Sequence, residues 1–238
     1  MMRFVSILGD SVSTYEGYNP QGYSVFYDAE MQQKNGLNSV YDTWWVKVNQ
    51  ALHAWLCVNN SYSGSRVTGK TFPSGSSDER ILNLRTVEYL PDIIMVYLGF
   101  NDFGYDVPVS QKVVEKINSS AQIHRNQEAN VDFFEDGYDR MTKKLRTCYP
   151  SAVIICGTLM RTKIKDLNWD FPNYSYGGSF ESYNDVIRSM ARKNGCYLAD
   201  ISLSEERYET LDGSHPTVQG HITFAQAWIS CLYNLGLI

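Results

Sequence analysis

Five short apolar runs, none of them alternating with polar residues, constrain this chain more than any other feature. They are Phe4–Leu8, Trp55–Val58, Ile93–Leu98, Ala152–Cys156 and Cys196–Ala199. A strand with one face in water alternates apolar and polar side chains. A continuous run must be covered on both faces, as a parallel strand is between two helix layers. The stretches between the runs read as helices. Tyr41–Leu52 carries Trp44, Trp45, Val48 and Leu52 at helical spacing, with Asp42 or Thr43 as its cap. Ser77–Leu90 has Ile81, Leu82, Leu84, Val87 and Leu90 as its apolar side and Pro91 as its stop. Asp132–Tyr149, Phe180–Asn194 (closed by Gly195) and Thr217–Leu235 (opening after Pro216) supply three more.

Strands alternating with helices predict a doubly wound α/β sandwich. The 238 residues, 43% of them apolar, suffice for one core. With no repeat and no linker, the chain reads as a single domain over residues 1–238. In such sheets ligands bind beyond the carboxyl ends of the strands, where the strand order reverses. The residues leaving each strand are therefore the candidates for function.

After the first strand come Gly9, Asp10 and Ser11, and after the second Asn59 to Ser65 with Gly64 among them. After the third come Gly99 to Asp102, and beyond the fifth Asp212-Gly213-Ser214-His215-Pro216. A serine, a glycine, an asparagine and an Asp–His pair are the parts of acyl-transfer chemistry. A serine hydroxyl attacks poorly unless a base takes its proton, and histidine titrates in the useful range. Asp212, three residues before His215, is close enough to orient the ring. The N–H groups of Ser11 and Gly64 and the side-chain amide of Asn101 are the candidate oxyanion donors. Asp200, just after the last strand, is the rival for the orienting carboxylate.

The simpler readings compete residue by residue. Ser11 alone would be a helix cap, and His215 alone a turn histidine. Asp10 is expected to hold its turn and Asp102 to fix the loop that aims Asn101. His53, His124 and His221 read as structural or surface residues, with His221 packing under the site. Trp44 and Trp45 read as core. Trp169, Asp170, Phe171, Tyr174 and Tyr176 follow the fourth strand and are expected either to wall a pocket or to form a solvated loop. The insert Phe103–Asn130, with a short helix at Lys112–Asn118, reads as a lid or rim.

These blocks together resemble the GDSL or SGNH hydrolase family. GDS at 9–11 stands for its nucleophile block, with Val12 where leucine is usual. Gly64 in SYSGSRVTG stands for its oxyanion glycine, GFND at 99–102 for GxND, and DGSH at 212–215 for DxxH. GDS alone is expected by chance in roughly one chain in fifteen; the ordered set, each after a predicted strand, is specific. The resemblance implies a flavodoxin-like three-layer α/β/α sandwich with a five-stranded parallel sheet. It also implies ester hydrolysis through an acyl-enzyme on Ser11, with His215 and Asp212 completing the triad, Ser11, Gly64 and Asn101 forming the oxyanion hole, and no metal or cofactor.

Composition narrows the partners. The net charge of −5 and the lack of a basic cluster give no reason to expect nucleic acid or an anionic membrane surface. No apolar run approaches the ~18 residues of a membrane-spanning helix. The N-terminal stretch is too short for a signal peptide, so the chain as given is expected in the cytoplasm, or outside the cell had a leader been removed. The five scattered cysteines read as buried free thiols in a reducing compartment. Seventeen tyrosines, many in YEGYNPQGY and FPNYSYGGSF, hint at a ligand face. The expected substrate is a small ester, with short-acyl (acetyl) esters of carbohydrate foremost. A lysophospholipase or acyl-thioesterase is the alternative, and a non-catalytic carbohydrate-binding or scaffold domain the reading from another class. Oligomeric state is left open.

Overall fold

The computed structural model describes residues 2–113, 115 and 132–238. In chain order its strands are β1 (Arg3–Gly9), β2 (Ala54–Ser61), β3 (Ile93–Tyr97), β4 (Val153–Gly157), β5 (Thr162–Ile164), β6 (Tyr174–Ser175), β7 (Gly178–Ser179), β8 (Tyr197–Ala199) and β9 (Tyr208–Thr210). Its helices are α1 (Ala29–Lys34), α2 (Trp44–Ala51), α3 (Asp78–Leu82), α4 (Phe100–Gly104), α5 (Phe134–Cys148), α6 (Phe180–Lys193) and α7 (Val218–Asn234).

The five apolar runs became β1, β2, β3, β4 and β8, paired in parallel in the order β2-β1-β3-β4-β8. Every residue of β3 is buried, as double coverage requires. On one side α2 packs on α7, where Trp44 stacks on Trp228 with ring centroids 5.2 Å apart. On the other, α5 packs on α3 and α6. The result is the three-layer flavodoxin-like arrangement, with helices covering both faces of the sheet. The strand order reverses between β1 and β3, and Gly9 lies level with Ser61 on β2 and Tyr97 on β3. The crevice at that reversal is the expected ligand position.

Two helices differ from the sequence reading. The predicted Tyr41–Leu52 helix is a 3-10 turn, Val40–Asp42, followed by α2. The Thr43 hydroxyl turns back to the Val40 carbonyl, and the first N–H of α2, on Trp44, donates instead to His221 Nδ1 at 3.2 Å. His221 is thus a buried cap supplied by α7. The predicted Ser77–Leu90 helix stops at Leu82. Beyond it the Thr86 hydroxyl accepts from the N–H groups of Glu88 and Tyr89, and Tyr89 stacks on Phe4. A local hydroxyl turn competes with helix there, so Val87 and Leu90, expected to be inward, are exposed.

Of the expected lid, residues 114 and 116–130 lie outside the described residues, as does most of the expected helix at Lys112–Asn118. In the described part Phe103, Val107 and Val109 are buried, whereas Gly104, Tyr105, Asp106, Gln111 and Lys112 are exposed. The cysteines are free; Cys156 alone is fully buried, and Cys148 is exposed at the end of α5, against expectation. Among the described residues no helix is long and apolar enough to cross a membrane.

Candidate active site

Gly9 ends β1 where only a residue without a side chain fits: a Cβ there would stand 2.7 Å from Ser13 Oγ and 2.8 Å from Ser61 Oγ. Asp10 then accepts from the Val12 N–H at 3.1 Å and closes the 3-10 turn Ser11–Ser13. Its role as a turn residue is the expected one. Ser11, at the head of this turn, keeps 6% of its surface exposed. Neither its hydroxyl nor its N–H bonds to a protein group among the described residues. The N–H of Gly64 is equally unengaged, in a backbone at φ +79° that glycine adopts readily.

Asn101, in the first turn of α4, donates its amide nitrogen to the Ser65 carbonyl at 3.0 Å and to Asp10 Oδ2 at 3.3 Å. The crevice therefore joins the loops after β1, β2 and β3. Asp102 does not act on Asn101 directly. It accepts from the N–H groups of Val67 and Thr68 and from the Thr68 hydroxyl, fixing the loop that follows Gly64.

Both carboxyls are fully buried. Burial, the dominant influence, pushes Asp10 up to about 7; the Val12 N–H and Arg80 oppose the shift and Asp102 adds to it. Burial raises Asp102 as well, against the donors from Val67 and Thr68.

The DxxH spacing explains itself in the Asp212 turn. Asp212 Oδ1 accepts the N–H groups of Ser214 and His215, each at 2.9 Å, leaving Oδ2 to hold His215 Nδ1 at 2.6 Å. One carboxylate thus shapes the turn and orients the ring. Burial works to raise the Asp212 carboxyl, but the bonds from His215 and Ser214 hold it below the usual range. The loop is fastened from beneath. Thr162 of β5 donates to the Gly213 carbonyl, and Thr210 of β9 accepts the Gly213 N–H. Trp169 lies against Gly213 and meets Phe171 edge to face. Phe171 is buried among Phe103, Phe180 and Trp169, whereas Tyr174 and Tyr176 are exposed.

Asp200, the rival carboxylate, is committed elsewhere: it accepts from Arg188, Thr158 and Ser202. His221 is fully buried, and burial, helped by Lys47 and His215, pushes it down to about 3, so it stays neutral. Trp44 and Trp45 are core, as read from the sequence.

Two residues went unnoticed in the sequence. Arg80 is fully buried and, among the described residues, pairs with no carboxylate; it donates to the carbonyls of Gly9, Asn60 and Pro73 and to the Ser65 hydroxyl. Burial lowers its guanidinium to about 10. Arg80 follows Asp78 and Glu79 in the chain, an ordinary polar context that gives no sign of burial. Phe26 stacks face to face on His215, with ring centroids 3.4 Å apart and planes within 5°.

An aromatic cluster includes Tyr62, two residues before Gly64 in the chain. Tyr23, Tyr62 and Phe72 meet edge to face, with centroids 5.1 to 5.5 Å apart. A separate cavity of about 530 Å³ between β8 and α7, lined by Leu198, Ile201, Leu203 and Ala227, contains none of Ser11, Gly64, Asn101 and His215. The crevice, where the loops of Ser11, Gly64 and Asn101 are joined through Asp10 and Ser65, is the better candidate for chemistry; no hydrogen bond joins Ser11 to His215. Among the described residues no three His, Cys, Asp or Glu side chains gather as metal ligands.

Residues 3–169 match the family model described as GDSL-like lipase/acylhydrolase. That match includes Ser11, Gly64 and Asn101 and ends before Asp212 and His215. A candidate GDSL-like lipase from Bacteroides uniformis is similar in structure at a TM-score of 0.68, with 26% identity over 100% of this chain and 97% of that one. Another from Bacteroides ovatus gives 0.66 at 21% identity over 95% and 96%. A carbohydrate acetylesterase from Sinorhizobium meliloti gives 0.59 at 15% identity over 98% and 99%, a likeness of fold alone. No curated protein matches by sequence.

Proposed function

The chain belongs to the GDSL-like lipase/acylhydrolase family, and on that premise we propose that it hydrolyses short-acyl esters, acetyl esters of carbohydrate foremost, with Ser11 as nucleophile. The observation that carries this reading is the Asp212–His215 contact at 2.6 Å, which engages Nδ1 and leaves Nε2 without a protein partner among the described residues. His215 Nε2 takes the Ser11 proton as Oγ bonds to the ester carbonyl carbon. The displaced electron pair moves to the carbonyl oxygen, which accepts from Ser11 N–H, Gly64 N–H and Asn101. Of Asn101's two bonds, the longer one to Asp10 is the one the oxyanion replaces. Collapse breaks the ester C–O bond, the alcohol leaves with the proton from His215, and water repeats the sequence to release the acid.

Two observations support the acyl and alcohol choice. Tyr62, two residues before Gly64 in the chain, belongs to an aromatic cluster with Tyr23 and Phe72, and aromatic rings offer flat apolar faces to a ligand. A structural neighbour is a carbohydrate acetylesterase. The test is a series of p-nitrophenyl esters from acetyl to palmitoyl, together with acetylated xylo-oligosaccharide, a lysophospholipid and an acyl-thioester, on the parent enzyme and Ser11→Ala. Turnover that falls with chain length and extends to the acetylated sugar supports the proposal. A maximum at long chains points instead to the lysophospholipase or thioesterase reading. Equal turnover by Ser11→Ala removes the serine mechanism, and sugar binding without turnover leaves a carbohydrate-binding domain.

A further inference from the structure

We infer that Phe26 is a positioning residue for His215, joining the base to the turn of the nucleophile; this rests on the proposed roles of Ser11 and His215. The imidazole meets Asp212 Oδ2 and Ser214 Oγ at Nδ1 alone, so it is held at one edge and can still tilt about that edge. A second restraint across the ring face removes that freedom. Phe26 supplies it, with its ring parallel to His215 at 3.4 Å.

The backbone of the same residue reaches the nucleophile. Phe26 N–H donates to Thr14 Oγ1 at 2.9 Å, and that hydroxyl donates to the Ser11 carbonyl, also at 2.9 Å. A path of two hydrogen bonds and one stacked contact thus spans residues 11 and 215, although Ser11 and His215 share no bond.

The segment around Phe26 is anchored well enough to act as a strap. The Tyr27 hydroxyl donates to the Pro216 carbonyl at 2.7 Å, next to His215. Ser24 accepts the Ser63 N–H at 2.8 Å, next to Gly64. Asn19 donates to the carbonyls of Asn59 and Ser61 and accepts the Tyr15 N–H. Residues 15–28 therefore bind the loops that carry Ser11, Gly64 and His215 into one unit. Phe26 is the member that touches the base itself. Misplacing a reacting group by about 1 Å costs up to 100-fold in rate, so a ring that sets the imidazole plane affects the chemical step more than binding.

The experiment compares the parent with Phe26→Leu and Phe26→Tyr, and with Phe26→Met should the leucine variant fail to fold. The assay is hydrolysis of p-nitrophenyl acetate, with Ser11→Ala as control. Phe26→Leu is expected to lower kcat about tenfold while KM stays within about twofold. Phe26→Tyr, which keeps the aromatic face, should recover kcat to within about twofold of the parent. In proton NMR the His215 ring signals of the parent should lie upfield, shielded by the stacked ring, and move downfield in Phe26→Leu but not in Phe26→Tyr. An unchanged kcat in a folded leucine variant, or a tyrosine variant as slow as the leucine one, overturns the inference while Ser11-dependent turnover leaves the proposed function standing. A parent with no Ser11-dependent turnover overturns both.

Discussion

The Arg80 guanidinium donates to the Gly9 carbonyl across 2.8 Å, tying a buried cation on α3 to the last residue of the strand that leads to Ser11. The same side chain reaches Asn60 at the end of β2, Ser65 beside Gly64, and Pro73 in the loop beyond. It serves as a hub between the first two strand ends. Among the described residues its charge is dispersed over neutral oxygens rather than paired with a carboxylate.

Removing this hub should be felt in stability first. Arg80→Met removes four charge-assisted bonds, each worth about 1.5–3 kcal/mol, while the Gly9 carbonyl keeps the Tyr62 N–H and the Pro73 carbonyl the Ser65 hydroxyl. The expected loss is about 3 kcal/mol or more in total, or roughly 6–12 °C in Tm for a chain of this size. Arg80→Lys should recover only part of it, since an ammonium has three donors and cannot span the fork. Thermal melts of the three proteins check this; equal Tm for parent and Arg80→Met would contradict it.

Asp10 gives a pH signature. Its carboxyl, pushed by burial to about 7, has an ordinary value of 3.8. Below the ordinary value both folded and unfolded chains hold the proton. Between the two values only the folded chain holds it, so stability falls as pH rises through this window and levels off above about 7. Asp10→Asn abolishes the titration while keeping an oxygen for the Val12 N–H. The stability of Asp10→Asn relative to the parent should therefore rise by a few kcal/mol between about pH 4 and pH 7. Urea unfolding at both pH values measures it, and a constant difference would show that Asp10 does not titrate there.

What the sequence could reveal was set by how local the cause is. β3 and β4 are legible because burial on both faces writes a continuous apolar run into five consecutive residues. The Asp212–His215 pair is legible because one turn contains both partners. β5 and β9 are not, since Thr162–Ile164 and Tyr208–Thr210 are short, partly polar segments that become strands only by pairing with each other. The end of α3 at Leu82 was hidden because its apolar spacing continues past the point where Thr86 captures the backbone. Arg80 and Phe26 escaped for a further reason: Arg80 gathers oxygens from four residues, the farthest 71 positions away, and Phe26 meets a ring 189 positions away, contacts that no local pattern marks.

Gly64 offers a backbone test. A Cβ would meet nothing within 4 Å, yet φ is +79°, so Gly64→Ala suffers strain without collision. About 1–2 kcal/mol is the usual cost of that conformation for an L-residue. Relief of the strain by rotating the peptide turns the Gly64 N–H away from the crevice. The expected result is a fall in kcat of about tenfold or more, with KM changed far less, because the donor acts on charge that develops after binding. Steady-state kinetics on an acetyl ester decides it; a rise confined to KM would remove Gly64 from the oxyanion hole.

Asp212 and Asp200 separate orientation from architecture. In Asp212→Asn the amide can present an N–H toward His215 Nδ1, favouring the tautomer in which Nε2 carries the proton and cannot accept one from Ser11. Loss of the corresponding carboxylate in a serine triad lowers kcat by about 10⁴ with geometry intact, and a fall on the order of 10³ or more is expected here. Asp200→Asn instead loosens Arg188, which retains Glu181 and Asp185. It should lower stability by about 1–3 kcal/mol, the worth of a charged hydrogen bond, while kcat stays within about twofold. Measuring kcat and Tm for both variants tests the assignment in one experiment. Were Asp200→Asn the inactive one, the carboxylate serving His215 would have to be sought across the sheet edge rather than within its own turn.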